Sequence, residues 1–210
     1  MKNGLFISFE GTDGCGKSTQ IRMLKEYLEK KGITAVVSRE PGGTKIGENI
    51  REILLNKDNA ELSPLCELFL YEAARAQHMA EIVLPALNEG KTVILDRFID
   101  STVAYQGYGR ELGVENAERL NEIAISGRYP DVTLMLELPP EEAFVRKGGN
   151  DKNDRIENAG VKFFSRVENG FKANAEKHSD RIKRVNVQGT IEETHRLICN
   201  IVDKALEGME

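Results

Sequence analysis

Five short apolar runs recur along the chain, at residues 5–10, 35–39, 92–96, 132–138 and 182–187. They are β-branched and almost continuous in apolar character, as strands covered on both faces would be. Longer stretches between them repeat at helical spacing. "STQIRMLKEYLEKKG" places Ile21, Leu24, Tyr27 and Leu28 on one face and stops at Gly32. "SPLCELFLYEAARAQHMAEIVLPALNEG" opens on Ser63 with Pro64 just inside and ends before Gly90; Pro85 predicts a late kink. "TIEETHRLICNIVDKALE" begins with Thr190 and Glu193 at capping-box spacing. Strands alternating with helices predict an α/β fold on a mainly parallel sheet with right-handed crossovers. One stretch breaks the alternation. Residues 146–160, "RKGGNDKNDRIENAG", are polar and glycine-rich, and predict an exposed mobile loop inside a single domain spanning 1–210.

Composition narrows the function classes. A chain of 210 residues, 40% hydrophobic and 30% charged, can bury one sizeable core. Its net charge of −5 argues against a protein that grips nucleic acid through phosphates, so any bound anion must be held by local donors. Cys15, Cys66 and Cys199 are odd in number and lack paired spacing. That predicts no disulfide framework or zinc site, and suits a reducing cytoplasm. The apolar N-terminal run is broken by Glu10, so it reads as a strand and not a signal peptide. No apolar segment approaches the ~20 residues of a membrane span.

The chemistry begins directly after the first run. "GTDGCGKST", residues 11–19, meets the pattern G-x-x-x-x-G-K-[ST] through Gly11, Gly16, Lys17 and Ser18. Glycines let backbone N–H groups curl inward as an anion nest, and the following helix points its positive end at the same place. Lys17 adds a charge for the β- and γ-phosphates, and Ser18 offers a hydroxyl to Mg²⁺. Residues Gly11, Thr12, Asp13, Gly14, Cys15, Gly16, Lys17, Ser18 and Thr19 therefore form a candidate ATP cradle. Cys15 has no neighbouring His or resolving Cys and reads as a small side chain in the loop.

"TVILDRF" is the second informative stretch. Asp96 ends a buried strand, where ligands gather in open α/β sheets, and can hold Mg²⁺; Arg97 beside it can face a phosphate. Asp100 and Ser101 are better placed than Asp96 to cap the next helix. Arg75 sits among small and apolar residues, where an unpaired guanidinium is costly and a bound phosphate would satisfy it. Tyr71 lies one turn earlier on the same face, suited either to stacking on a base or to core packing. "NKDN" at 56–59 misses the base-reading segment of a GTPase, and a small α/β domain with a basic loop suits a small-molecule kinase.

Five stretches together, "FEGTDGCGKSTQ", "REPGGT", "YEAARAQH", "DRFIDSTVAYQG" and "DRIE", resemble the bacterial thymidylate kinase family, in that family's order and over most of the chain. The resemblance implies a three-layer P-loop NTPase fold with a five-stranded parallel sheet flanked by helices, and usually a homodimer. It implies transfer of the γ-phosphoryl group of ATP to dTMP. Asp13 then matches a carboxylate that accepts from the 3′-hydroxyl of dTMP. Arg51, Arg75 and Arg97 would hold the acceptor phosphate, Tyr71 would stack on thymine, and Thr102 and Gln106 would meet the base edge. Tyr105 would crowd out a 2′-hydroxyl, and Pro41 would line the acceptor pocket. One branch of the family carries an arginine directly after the acid of the loop; this chain has Gly14 there. The other branch carries the positive charge on a lid, which the resemblance places here at Arg146, Lys147, Lys152 and Arg155; Arg146 and Arg155 suit spread transition-state charge best, and a solvated loop without catalytic contact is the alternative. A kinase for another nucleoside monophosphate or deoxynucleoside, or a nucleotide-binding switch without transferase activity, stays open at this point.

Overall fold

The computed structural model describes residues 4–148 and 154–208. Among them, five parallel strands make one sheet: β1 (Phe6–Glu10), β2 (Ala35–Arg39), β3 (Thr92–Asp96), β4 (Val132–Glu137) and β5 (Ile182–Asn186), in the order β2-β3-β1-β4-β5. Each lies within one residue of its predicted bounds. The expectation of burial on both faces holds for β1, β3 and β4, but β2 and β5 are edge strands and are only partly covered. Phe9 pairs with Asp96, and Arg39 pairs with Asp96 from the other side, so three strands end level at one edge.

The helices are α1 (Lys17–Lys30), α2 (Lys45–Leu55), α3 (Pro64–His78), α4 (Leu84–Asn88), α5 (Ile99–Thr102), α6 (Val114–Ala124), α7 (Pro140–Lys147), α8 (Val161–Lys177) and α9 (Ile191–Glu207). Alternation along the strands sends side chains to opposite faces. Ile7 and Phe9 of β1 pack with Leu24 and Leu28 of α1 and with Ile198 and Val202 of α9. Phe6, Val93 and Leu95 join Met79, Val83 and Leu87 on the other face, and Met135 joins Phe163 and Val167 of α8. The result is helix layers on both sides of a sheet.

Local signals explain the helix ends. Ser63 Oγ accepts from the Cys66 N–H at 3.3 Å, and Thr190 and Glu193 close a full capping box. The expected kink at Pro85 takes another form: the backbone widens into a π-helical segment, Met79–Val83, one turn ahead of it. Proline has no N–H and its ring crowds the carbonyl four residues earlier, so the strain is taken up before the ring. A second π-helical segment, Val103–Gly109, follows α5.

The polar stretch at 146–160 is only partly what the sequence predicts. Residues 149–153, including Lys152, lie outside the described residues, as does the side chain of Lys147. Residues 154–160 are docked: Asp154 bridges Asn56, the Arg155 N–H donates to the Leu55 carbonyl at 2.9 Å, and Ile156 is buried against α8. Ile156 is the apolar anchor that a count of polar residues passes over.

Candidate active site

A cavity of about 580 Å³ opens at the level ends of β1, β2 and β3, within the usual size of ligand sites. Asp13 to Thr19 line it, with α1 starting beneath them. Gly11 and Thr12 lie underneath, and their carbonyls each accept from Lys17 Nζ at 3.1 Å. A Cβ on Gly11 would run into the Leu136 carbonyl, and Gly16 turns the chain into the helix at φ 97°. Both positions require glycine. Cys15 is buried and forms no disulfide, a small side chain packed within the loop.

Ser18 Oγ lies 3.5 Å from the Asp96 carboxylate, the two oxygen donors proposed for magnesium. Hard oxygen ligands few in number suit Mg²⁺, which takes one or two protein groups and completes its shell with water and phosphate. Next to Asp96, Arg97 adopts φ 66°, a left-handed conformation that costs a side-chain-bearing residue about 1–3 kcal/mol. Its Nη2 donates to Asp13 at 2.7 Å, its Nη1 to Ser101 Oγ at 3.0 Å, and its guanidinium lies over the Tyr105 ring. Burial opposes the charge, but Tyr105, Asp13 and Asp96 outweigh it, so Arg97 stays firmly cationic. Burial also pushes the Tyr105 hydroxyl up to about 12, keeping it neutral.

Pro41, Arg51, Tyr71, Arg75, Thr102 and Gln106 also line the cavity. The Glu40–Pro41 bond is cis, and the Pro41 carbonyl accepts from Arg51 Nη1 at 2.9 Å. Tyr71 and Arg75 do share a face. The premise that Arg75 lacks partners is corrected, however. Its Nε donates to Glu40 at 2.8 Å, and its Nη1 to Glu72 at 2.6 Å, Asn121 at 2.7 Å and Thr102 at 2.9 Å. Desolvation works against its charge, yet Glu40 and Glu72 hold its pKa above the ordinary value. Protein carboxylates, not a bound anion, explain why arginine is tolerated there.

The thymidylate kinase family model matches residues 9–198. The chain belongs to the thymidylate kinase family. A thymidylate kinase of a Thermoanaerobacter species (strain X514) is 46% identical over 97% of this chain and 99% of its own length. That of Caldanaerobacter subterraneus is 43% identical, over 98% of both chains. The crystal structure of the Ehrlichia chaffeensis thymidylate kinase superposes with a TM-score of 0.77 at 34% identity, covering 96% of this chain and 99% of that one. The family is one of phosphotransferases, and the sheet order and helix layers agree with its fold.

This member of the thymidylate kinase family has Gly14 in its phosphate loop, and the structure separates the two arginines expected of the 146–160 segment. Arg146 lines the cavity, is 44% exposed, and among the described residues has long contacts: 3.4 Å to the Val187 carbonyl and 3.9 Å to Glu142. Arg155 is not part of the lining. Its Nη2 lies 2.7 Å from the buried Glu67 carboxylate and its Nε donates to the Leu54 carbonyl at 2.9 Å. A desolvated carboxylate draws the guanidinium inward, so Arg155 ties its segment to α2 and α3.

Sequence reading missed the layer beneath the arginines. Glu10, Glu40, Glu67 and Glu72 are all buried acids. Glu10 accepts from the Phe98 N–H at 2.8 Å, the Ser101 N–H at 3.2 Å and Ser101 Oγ at 2.6 Å, clamping the turn that carries Arg97. Asp100 and Ser101 therefore do not cap α5: Asp100 takes both ends of Arg181 at 2.7 Å, and Ser101 serves Glu10. Two signals were available in the sequence: an acid closing an apolar strand at Glu10, and Glu72 three residues before Arg75.

Proposed function

We propose that this chain transfers the γ-phosphoryl group of ATP to dTMP, giving dTDP and ADP for dTTP synthesis. What supports the reading most is one shared cavity, lined by the phosphate loop with Lys17 and by Arg51, Arg75 and Arg97. The acceptor is itself a phosphate whose second pKa is near ~6, so it arrives largely dianionic and needs no strong base. The barrier is repulsion between two polyanions, met by alignment and cations. Lys17 and the loop amides hold the donor. Arg51 and Arg97 hold the acceptor phosphate. Arg75, already neutralised by two carboxylates, contributes a donor beside Thr102 more than net charge.

Asp13, fixed by Arg97, faces the 3′-hydroxyl, Tyr71 stacks on the base, and Tyr105 fills the space of a 2′-hydroxyl. Ser18 and Asp96 would hold Mg²⁺, which supplies charge neutralisation at the β- and γ-phosphates when bound. Arg146, at the end of α7 and lining the cavity, reaches the transferred group. The protein acts as a homodimer, in the cytoplasm, where its three free cysteines stay reduced.

A coupled ADP-release assay with dTMP, dUMP, dCMP, dGMP and AMP tests this. dTMP should give the highest kcat/KM. Nucleotide binding without a phosphorylated product from any acceptor would overturn the reading.

A further inference from the structure

Glu67 is fully buried at the start of α3 and draws in two arginines and an amide. Arg110 donates through Nε at 3.1 Å and Nη2 at 2.9 Å, Arg155 Nη2 lies at 2.7 Å, and Gln106 Nε2 donates at 2.8 Å. Burial alone would push this carboxyl up, but the bonds from Arg110 and Gln106 outweigh it and hold it below its usual range. Glu67 is therefore ionised.

An ionised carboxylate only accepts. It dictates which end of the Gln106 amide turns toward it: Nε2 must face Glu67, and Oε1 is left for the cavity that Gln106 lines. A free glutamine can turn its amide over and present either a donor or an acceptor. Gln106, buried to 2% exposure and tied at one end, cannot.

We propose that Glu67 is a positioning residue for acceptor specificity: by holding Nε2 of Gln106 it makes the cavity present a carbonyl oxygen to the base. This rests on the reading above that dTMP is the acceptor. The hydrogen-bonding edge of thymine carries two carbonyl oxygens and a single donor, the ring N3–H, so Oε1 can pair only with that N–H. Uracil offers the same donor. Cytosine places a lone pair there, and two acceptors would face each other in a dry pocket. Leaving a buried polar group so mismatched typically costs tenfold to a hundredfold or more in discrimination.

The test compares dUMP with dCMP, which differ little in size and chiefly in this edge, using wild type, Glu67→Gln, Gln106→Leu and the double variant Glu67→Gln/Gln106→Glu. Wild type should favour dUMP by about a hundredfold in kcat/KM. In Glu67→Gln the amide partner can donate or accept, Gln106 is free to turn, and the ratio should fall at least about tenfold, with the KM for ATP unchanged. Gln106→Leu keeps Glu67 paired with its two arginines, and should lose the ratio equally. In the double variant the amide now at position 67 donates to a carboxylate at position 106, which again turns an acceptor to the base, so the ratio should return to within about threefold of wild type. A merely structural loss would lower both rates together and would not be rescued by exchanging the pair.

An unchanged ratio in Glu67→Gln or Gln106→Leu, or a double variant that stays unselective, overturns the proposal. Should Glu67→Gln fail to fold, Gln106→Leu and the double variant decide. If wild type phosphorylates neither dTMP nor dUMP, the acceptor reading itself has failed, an outcome distinct from an unchanged ratio.

Discussion

Glu10 shows how a buried acid can serve a cation it does not touch. Its carboxyl lies one residue before the phosphate loop and accepts from Ser101 Oγ, which in turn accepts from Arg97 Nη1. A hydroxyl oxygen can accept from the guanidinium while still hydrogen-bonded to Glu10, so Ser101 links the two groups. Burial, with Asp100 nearby, raises the Glu10 pKa to about 7 against an ordinary carboxylate value of 4.5. The folded chain thus keeps a proton that the unfolded chain has already released. Its contribution to stability is complete below about pH 4.5 and is lost as pH rises through about 7. Glu10→Gln carries no charge at any pH. Urea unfolding between pH 5 and 8 should show wild type losing ~2–4 kcal/mol relative to the variant across that window. Parallel profiles would mean that Glu10 is charged throughout. Turnover should fall in the variant as well, because the glutamine amide competes with Arg97 for the Ser101 oxygen.

At the scale of elements, α7 and the docked stretch 154–160 share a pair of arginines between two tasks. Arg146→Ala should cost ~10³ in kcat with little change in thermal stability, because its present contacts are long and solvent-screened. Arg155→Ala should instead lower stability by ~1–3 kcal/mol, a Tm drop of several degrees, and raise the KM for dTMP, since α2 and α3 lose a shared tie. Full kcat in both variants would end any catalytic role for this segment. The sequence makes these arginines visible but not distinguishable: both are planar cations in one polar stretch. What separates them is Glu67, some ninety residues away in the chain. The same holds for Arg75, whose helix face was legible while Glu40 and Asn121 reach it only through the fold. The strands, the phosphate loop and the caps were legible because each is a local pattern with a local cause. The buried acids were not, because a carboxylate becomes tolerable only through partners brought by tertiary packing.

For the whole molecule, α3 raises a question about its outer face. Inward it carries Glu67, Glu72 and Arg75; outward it exposes Leu65 and Phe69 to about half, followed by Ala73 and Ala76. Those positions recur every three or four residues and form an apolar stripe, small enough toward its C-terminal half for a second helix to approach closely. The neighbouring α2 exposes Ile46 and Ile53. A stripe of this kind suits an isologous contact, in which the same face of a second copy covers it, and it fits the proposed homodimer. Phe69→Glu would bring a charge from each copy into that contact. Sedimentation velocity should then show a dimer for wild type and a monomer for the variant at micromolar concentration. Because the inner face of the same helix presents Tyr71 and Arg75 to the cavity, the monomer should also bind dTMP more weakly, while its KM for ATP, set by the loop and α1, changes little. A wild type that sediments as a monomer would remove the dimer. A monomeric variant with unaltered dTMP affinity would show instead that the outer face of α3 does not support the inner one.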